Sequence, residues 1–243
     1  MKSGNPVLRT DTFEAVPAGE RMTINGTINK TAMMLALVVI TAIYTWGRFT
    51  AAGNNPAAIM PLVWTGAIGG LIFCLITVFK TEWVAVTAPI YALLEGLVVG
   101  GLSAIFEVAY PGIIVQAVGL TFGVLAAMLL AYRSGLIQAT EKFKLGVIAA
   151  TGGIALLYLV SMVMSMFGKP IGFIHEGGTF GILFSLFVVV IAALNLVLDF
   201  DLIKQGAEQG APKRMEWYGA FALTVTLIWL YLEILRLLGK MRK

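Results

Sequence analysis

Seven long apolar segments constrain the fold of this chain more than any other feature of its sequence. A helix of about 20 mostly apolar residues crosses the hydrocarbon core of a bilayer, and seven stretches meet that requirement or come close to it. They lie near residues 31–49, 59–79, 83–105, 112–132, 145–167, 179–201 and 218–238. Charged residues make up 12% of the 243 residues, against roughly 25% in an average soluble domain. We therefore predict an all-α polytopic membrane protein with seven transmembrane helices.

The segments between these spans are too short to hold a second folded unit, so a single transmembrane domain is expected over residues 31–243. Residues 1–30 mix basic and acidic side chains and contain no apolar core. They do not have the pattern of a cleavable signal peptide. We expect them to form a polar cytoplasmic segment, and the first span to act as the insertion signal.

Basic residues in the short loops predict the orientation in an inner (plasma) membrane. With a cytoplasmic N-terminus, most of them fall inside, namely Lys2, Arg9, Arg21, Lys30, Lys80, Arg133, Lys142, Lys144, Lys204, Lys213 and Arg214. The tail, with Lys240, Arg242 and Lys243, disagrees with this pattern, so the last segment either spans fully or enters and returns. We favour a full span. Topology also explains the net charge of +4, and no nucleic-acid partner is expected.

The sequence contains few residues that could catalyse a reaction. His175 is the only histidine and is expected in an outer loop, and Cys74 is the only cysteine. A His/Cys metal centre or a histidine-driven nucleophile therefore lacks partners. No phosphate-binding loop, dinucleotide fingerprint or HExxH motif occurs. We predict a protein that is not an enzyme and has no cofactor.

Four acidic residues in or beside the apolar spans are the candidate site: Glu95, Asp199, Asp201 and Glu233. A carboxylate at the centre of a bilayer costs about 3 kcal/mol on insertion scales, so each needs a cavity, an ion or a partner. Carboxylates from different helices can bind Ca²⁺, and two that share a site resist being ionised together, which makes the site sensitive to pH.

Structural explanations for the same acids stay open. Asp199 and Asp201 can simply be solvated at a helix end, with Lys204 three residues after Asp201. Glu233 can form an ion pair with Arg236, three residues further on. Glu95 can be a protonated acid that hydrogen-bonds across helices.

Short motifs in the last two spans resemble those of the Bax inhibitor-1/YccA family, also called TMBIM. They are Leu198-Asp199-Phe200-Asp201-Leu202-Ile203 and Leu230-Tyr231-Leu232-Glu233-Ile234-Leu235. The opening residues 4–8 and the stretches 89–96 and 106–114 resemble a bacterial subgroup of that family. The resemblance covers essentially the whole chain and depends on the length, order and number of the spans together.

The resemblance implies seven helices with the last one surrounded by the others, and a pH-sensitive calcium leak. In the family, an aspartate pair from the last two helices closes the pore. Residue by residue, Asp199 matches the first of these acids and Glu233 the second, where this chain has a glutamate. If the last span starts near residues 217–218, Glu233 lies about 22 Å along it at 1.5 Å per residue. The two acids then meet only if that helix begins in the cytoplasm or the sixth helix continues past Asp201.

We therefore expect a calcium or cation leak channel, with calcium ions at Asp199 and Glu233, the lipid bilayer as environment, and Asp201 and Glu95 as further cation-facing acids. The alternative is a modulator of membrane proteolysis or stress signalling. It would bind a membrane protease or another membrane protein through the polar N-terminal segment. An ion-coupled transporter is a third option, for which the sequence shows no substrate pocket.

Overall fold

The computed structural model describes residues 21–167 and 178–242. Within these ranges the chain forms seven long helices, each long and apolar enough to cross a membrane. They are α1 (Ile24–Ala51), α2 (Met60–Phe79), α3 (Val84–Ala109), α4 (Ile113–Arg133), α5 (Glu141–Met166), α6 (Thr179–Glu208) and α7 (Met215–Met241). The prediction of an all-α, seven-helix membrane protein is confirmed. His175 of the expected outer loop lies outside the described residues.

The observed helices extend beyond several of the predicted spans because polar residues continue the helices past the apolar core. α1 begins at Ile24, so residues 24–30 of the polar segment form its first turns. The side chain of Thr23 accepts a hydrogen bond from the Gly26 amide and caps this helix. α6 continues past Asp201 to Glu208. Helix ends outside the hydrocarbon need no apolar residues, which is why hydropathy underestimates their length.

The last helix lies at the centre of the bundle, as predicted. α7 packs against α1, α3, α4 and α6, and it has the largest buried share of the seven helices. Its core contacts include Leu230, Ile234 and Leu235, all buried. By contrast, α2 packs mainly on α3, and α5 mainly on α6. The bundle thus has one surrounded helix and two peripheral ones.

α1 and α3 approach each other closely because α3 has glycines at the contact. A Cβ atom added to Gly96 would lie 2.4 Å from the Val38 carbonyl oxygen, and one added to Gly100 would lie 2.3 Å from the Ala42 carbonyl oxygen. Small residues allow such backbone contact in lipid, where packing rather than the hydrophobic effect holds helices together. Gly96 and Gly100 therefore have a structural role at this contact.

Alternate helices run in opposite directions, so the bundle has two ends. We call the end where α1, α3, α5 and α7 begin the N-terminal face, and the end where they finish the C-terminal face. α7 is a continuous helix of 27 residues, the form expected of a full span. Large apolar side chains such as Val115, Leu130 and Phe79 are exposed on the outside of the bundle, where the bilayer would cover them.

Candidate functional site

Asp199 is an acidic side chain inside the bundle, on the side of α6 that faces α7. The hydroxyl of Thr226 on α7 lies near its carboxylate. The carboxylate oxygen Oδ2 is shielded from solvent and has no hydrogen-bond partner. None of the ion pairs among the described residues includes Asp199. An unpaired carboxyl at such a position is costly, and this is the strongest functional signal in the structure.

Glu233 lies deeper along α7, in a separate cluster. Its carboxylate accepts hydrogen bonds from Arg236 at 2.8 Å and from the hydroxyl of Tyr158 on α5 at 3.0 Å. The guanidinium of Arg236 also donates to the Tyr158 oxygen, at 2.7 Å. The Glu233 side chain is 2% exposed and that of Arg236 is 38% exposed. The i,i+3 ion pair, one of the two interpretations left open by the sequence, is therefore formed.

The structure does not bring Asp199 and Glu233 together. Asp199 lies near Thr226, and Glu233 lies seven residues further along α7, about 10.5 Å at 1.5 Å per residue. The extension of α6 past Asp201 moves Asp199 into the bundle, but only to the level of Thr226. A single calcium ion cannot contact both carboxylates in this arrangement. In the part of the chain that the structure describes, no group of three or more His, Cys, Asp or Glu residues could hold a metal ion.

Asp201 points to a different side of α6 from Asp199 and takes part in a surface network near the N-terminal face. Its carboxylate pairs with Lys144 of α5 at 3.0 Å. It also accepts hydrogen bonds from the hydroxyl of Tyr132 at 3.1 Å and from the amide of Gln205 at 2.6 Å. The partner predicted from sequence, Lys204, instead pairs with Glu208. Asp201 is thus a neutralised acid beside the unpaired Asp199.

Glu95 lies in the middle of α3 and faces α2. A Cβ atom added to Gly70 of α2 would lie 2.8 Å from its Oε2 atom, and Cys74 is close enough to interact with it electrostatically. The ion pairs of the described residues do not include Glu95. It is partly buried and lies on a different helix from the other three acids.

A further polar contact joins α5 and α6 between Asp199 and Glu233. The amide of Asn195 on α6 donates to the hydroxyl of Thr151 on α5 at 2.8 Å and to the carbonyl of Ile191 at 2.9 Å. Sequence patterns do not single out Thr226, Asn195, Thr151 or Tyr158, because uncharged polar residues are common in apolar spans. Spacing was the available signal, since Thr151 and Tyr158 follow Lys144 at intervals of seven residues.

A cavity of the bundle lies away from these acids. It has a volume of about 550 Å³ and lies between α1 and α4, which leave a gap beside α7. Its walls are almost entirely apolar, and Ser103 and Tyr231 at its floor are hydrogen-bonded to each other at 2.6 Å. Such walls offer no ligands to a cation. The acids and this cavity are therefore separate features.

Comparison with known proteins identifies the family. A family model described as Bax inhibitor 1 like matches residues 5–243. No curated protein and no solved structure matches the chain. The match covers nearly the whole chain and includes all seven helices. The chain therefore belongs to the Bax inhibitor 1 like family of multi-pass membrane proteins.

Proposed function

We propose that this protein is a pH-sensitive calcium leak channel of the inner membrane, with a cytoplasmic N-terminus and no enzymatic activity. The observation that supports this most is Asp199, an acid inside the bundle whose Oδ2 oxygen has no partner. A carboxylate there can attract a cation that has lost part of its water shell. The same group can take up a proton, which would remove that attraction.

The environment of Asp199 supports a single proton-sensitive group rather than a carboxylate pair. The residue that faces it from the central helix is Thr226, a hydroxyl donor without charge. The neighbouring titratable groups are paired with one another: Asp201 with Lys144, and Glu233 with Arg236. The gate of this chain therefore depends on Asp199 and Thr226, and Glu233 acts at a different level.

Calcium passes along such a site but is not stored there. Binding sites that hold Ca²⁺ supply six to eight oxygen ligands, whereas Asp199 and Thr226 together supply three side-chain oxygens. A weak site of this kind suits conduction, because an ion must leave as readily as it enters. Water would complete the coordination during passage.

The test is calcium uptake into proteoliposomes that contain a calcium-sensitive dye, measured between pH 6 and pH 8. The wild-type protein should conduct calcium with a rate that depends on pH, and Asp199→Asn should remove most of that dependence. Glu208→Gln is the matched control, because Glu208 is also acidic, lies near the N-terminal face and has a side chain that is 64% exposed. It should keep the wild-type profile. Equal pH profiles in Asp199→Asn and the wild type would exclude the proposed gate.

One contact favours the alternative of a binding modulator that acts on a membrane protease or another membrane protein. Glu216, at the start of the central helix, accepts hydrogen bonds from the amide and the hydroxyl of Thr23 at 3.0 and 2.9 Å, and it pairs with Lys30. The polar N-terminal segment is thus attached directly to α7. Deleting residues 2–20 keeps this contact. A channel should still conduct calcium after the deletion, whereas a modulator should lose its effect on its partner.

A further inference from the structure

Polar residues of α5 recur on one face of the helix. Lys144, Thr151 and Tyr158 are separated by seven residues each, or about two turns and 10.5 Å. Each contacts a polar group of a neighbouring helix: Lys144 pairs with Asp201, Thr151 accepts from Asn195, and Tyr158 donates to Glu233. α5 therefore attaches to α6 and α7 through three polar contacts at regular heights.

The other surfaces of α5 do not share this character. Leu145, Leu156 and Leu159 are 67%, 63% and 55% exposed and face outward. Val147 and Ile154 are buried against the bundle, and Ile154 packs with Val188 and Ile191 of α6. Polar contacts across helices in a membrane each contribute little to stability, because the separated helices also find polar partners. A peripheral helix held in this way can separate from α6 at a modest cost.

The polar groups of α5, α6 and α7 lie at successive heights along the axis of the bundle. Along α6, Asp199 and Asn195 lie about 3 Å and 9 Å beyond Asp201 at 1.5 Å per residue. Along α7, Glu233 lies about 10.5 Å beyond Thr226, which is level with Asp199. Asn195 thus fills the interval between the two acids.

Asn195 has the chemistry of a cation ligand. Its side-chain amide uses its two N–H donors on Thr151 and on the Ile191 carbonyl. This leaves the Oδ1 oxygen as an acceptor, and amide oxygens are common ligands of Ca²⁺. The unpartnered Oδ2 of Asp199, four residues further along the same helix, is a second available oxygen.

We infer that Asn195 and Thr151 form an intermediate cation site in a polar seam between α5, α6 and α7, defined by Asp199, Asn195 and Glu233. The inference rests on the proposed function and names the route of the ion. Arg236 neutralises Glu233 at one end of the seam, and Lys144 neutralises Asp201 on the neighbouring side of α6. Displacement of α5 would separate Lys144 from Asp201 and would remove the Tyr158 hydroxyl from the Glu233–Arg236 pair, because Lys144 and Tyr158 lie on that helix.

Cysteine accessibility tests the seam without relying on ion flux. Asn195→Cys and Thr151→Cys are made in a Cys74→Ser background and treated in proteoliposomes with a small cationic methanethiosulfonate reagent. Leu156→Cys is the control, because Leu156 lies on the lipid-facing side of the same helix. We expect the two seam variants to react at least ten-fold faster than the control, and 10 mM calcium to slow them. Equal rates at all three positions would refute the seam.

Calcium flux then separates the seam from the proposed function. Asn195→Leu should lower flux at least ten-fold, and Asn195→Asp, which keeps an acceptor oxygen, should retain it. Normal flux in Asn195→Leu would refute the intermediate site while leaving the Asp199 gate intact. If the seam cysteine variants are labelled rapidly but neither they nor the wild type conducts calcium, the channel function is refuted. Water access to the seam would still be supported. Size-exclusion profiles verify that each variant is folded.

Discussion

The contact between α1 and α3 offers a direct test of the packing. In Gly100→Ala, the new Cβ atom would lie 2.3 Å from the carbonyl oxygen and 2.5 Å from the Cα atom of Ala42. Carbon–oxygen contacts between neighbouring backbones are normally about 3.3 Å or longer, so the two helices must separate by about 1 Å. Backbone atoms cannot move aside as a side chain would. Overpacking of this kind typically costs about 1–3 kcal/mol.

Gly119→Ala is the matched control, because Gly119 lies within α4 and a Cβ atom there meets nothing within 4 Å. Both substitutions gain the helix propensity of alanine, about 1 kcal/mol, so their difference isolates the packing cost. Each variant is heated in detergent, and the fraction that still elutes as a single species is measured at each temperature. Gly100→Ala should show a lower midpoint temperature than Gly119→Ala. At about 2–4 °C for each kcal/mol in a chain of this size, the gap is several degrees. Equal midpoints would show that α1 and α3 are not in backbone contact.

Two further substitutions test polar contacts of the central helix by the same unfolding assay. Glu216→Gln removes the ion pair of a buried carboxylate with Lys30, and we expect a loss of about 1.5–3 kcal/mol, the usual worth of a hydrogen bond to a charged group. Glu208→Gln, at a pair in which both side chains are more than half exposed, should change the midpoint little; similar effects at the two glutamates would contradict this. Tyr231→Phe removes the 2.6 Å hydrogen bond to Ser103 and should cost about 1 kcal/mol, and an unchanged midpoint would show that this bond adds no net stability.

The central position of α7 explains why its polar residues matter for both proposals. Thr226 faces Asp199, Glu233 faces α5, and Glu216 holds the start of α1. A small rotation or shift of this helix would change all three contacts together. A glycine at position 26 allows the contact between Glu216 and the start of α1, because a Cβ atom at this position would lie 2.1 Å from a Glu216 carboxylate oxygen.

Residues at the site show how far sequence reasoning extends. Asp199 can be identified from sequence alone, because a charged side chain in an apolar run carries a free-energy cost in the bilayer however its helix packs. Its partner could not be found in that way. The resemblance pointed to Glu233, but the helical rise along α7 places Thr226 at the level of Asp199, and an uncharged hydroxyl leaves no signal in a hydropathy profile. Glu233 and Arg236 were more predictable, since an i,i+3 pair is a property of one helix.

The sequence by itself determined that the chain is a seven-helix membrane protein, because span length and hydropathy are local properties that the bilayer imposes on each segment. It also determined which acidic side chains lie within apolar spans, where a charge carries a free-energy cost. Only the tertiary structure decided which helices enclose α7, that Asp199 faces Thr226 rather than Glu233, and that α5 attaches through Lys144, Thr151 and Tyr158. These relations depend on the packing angle and axial offset of helices that are far apart in the chain, and in lipid those quantities are set by close side-chain contacts rather than by hydropathy.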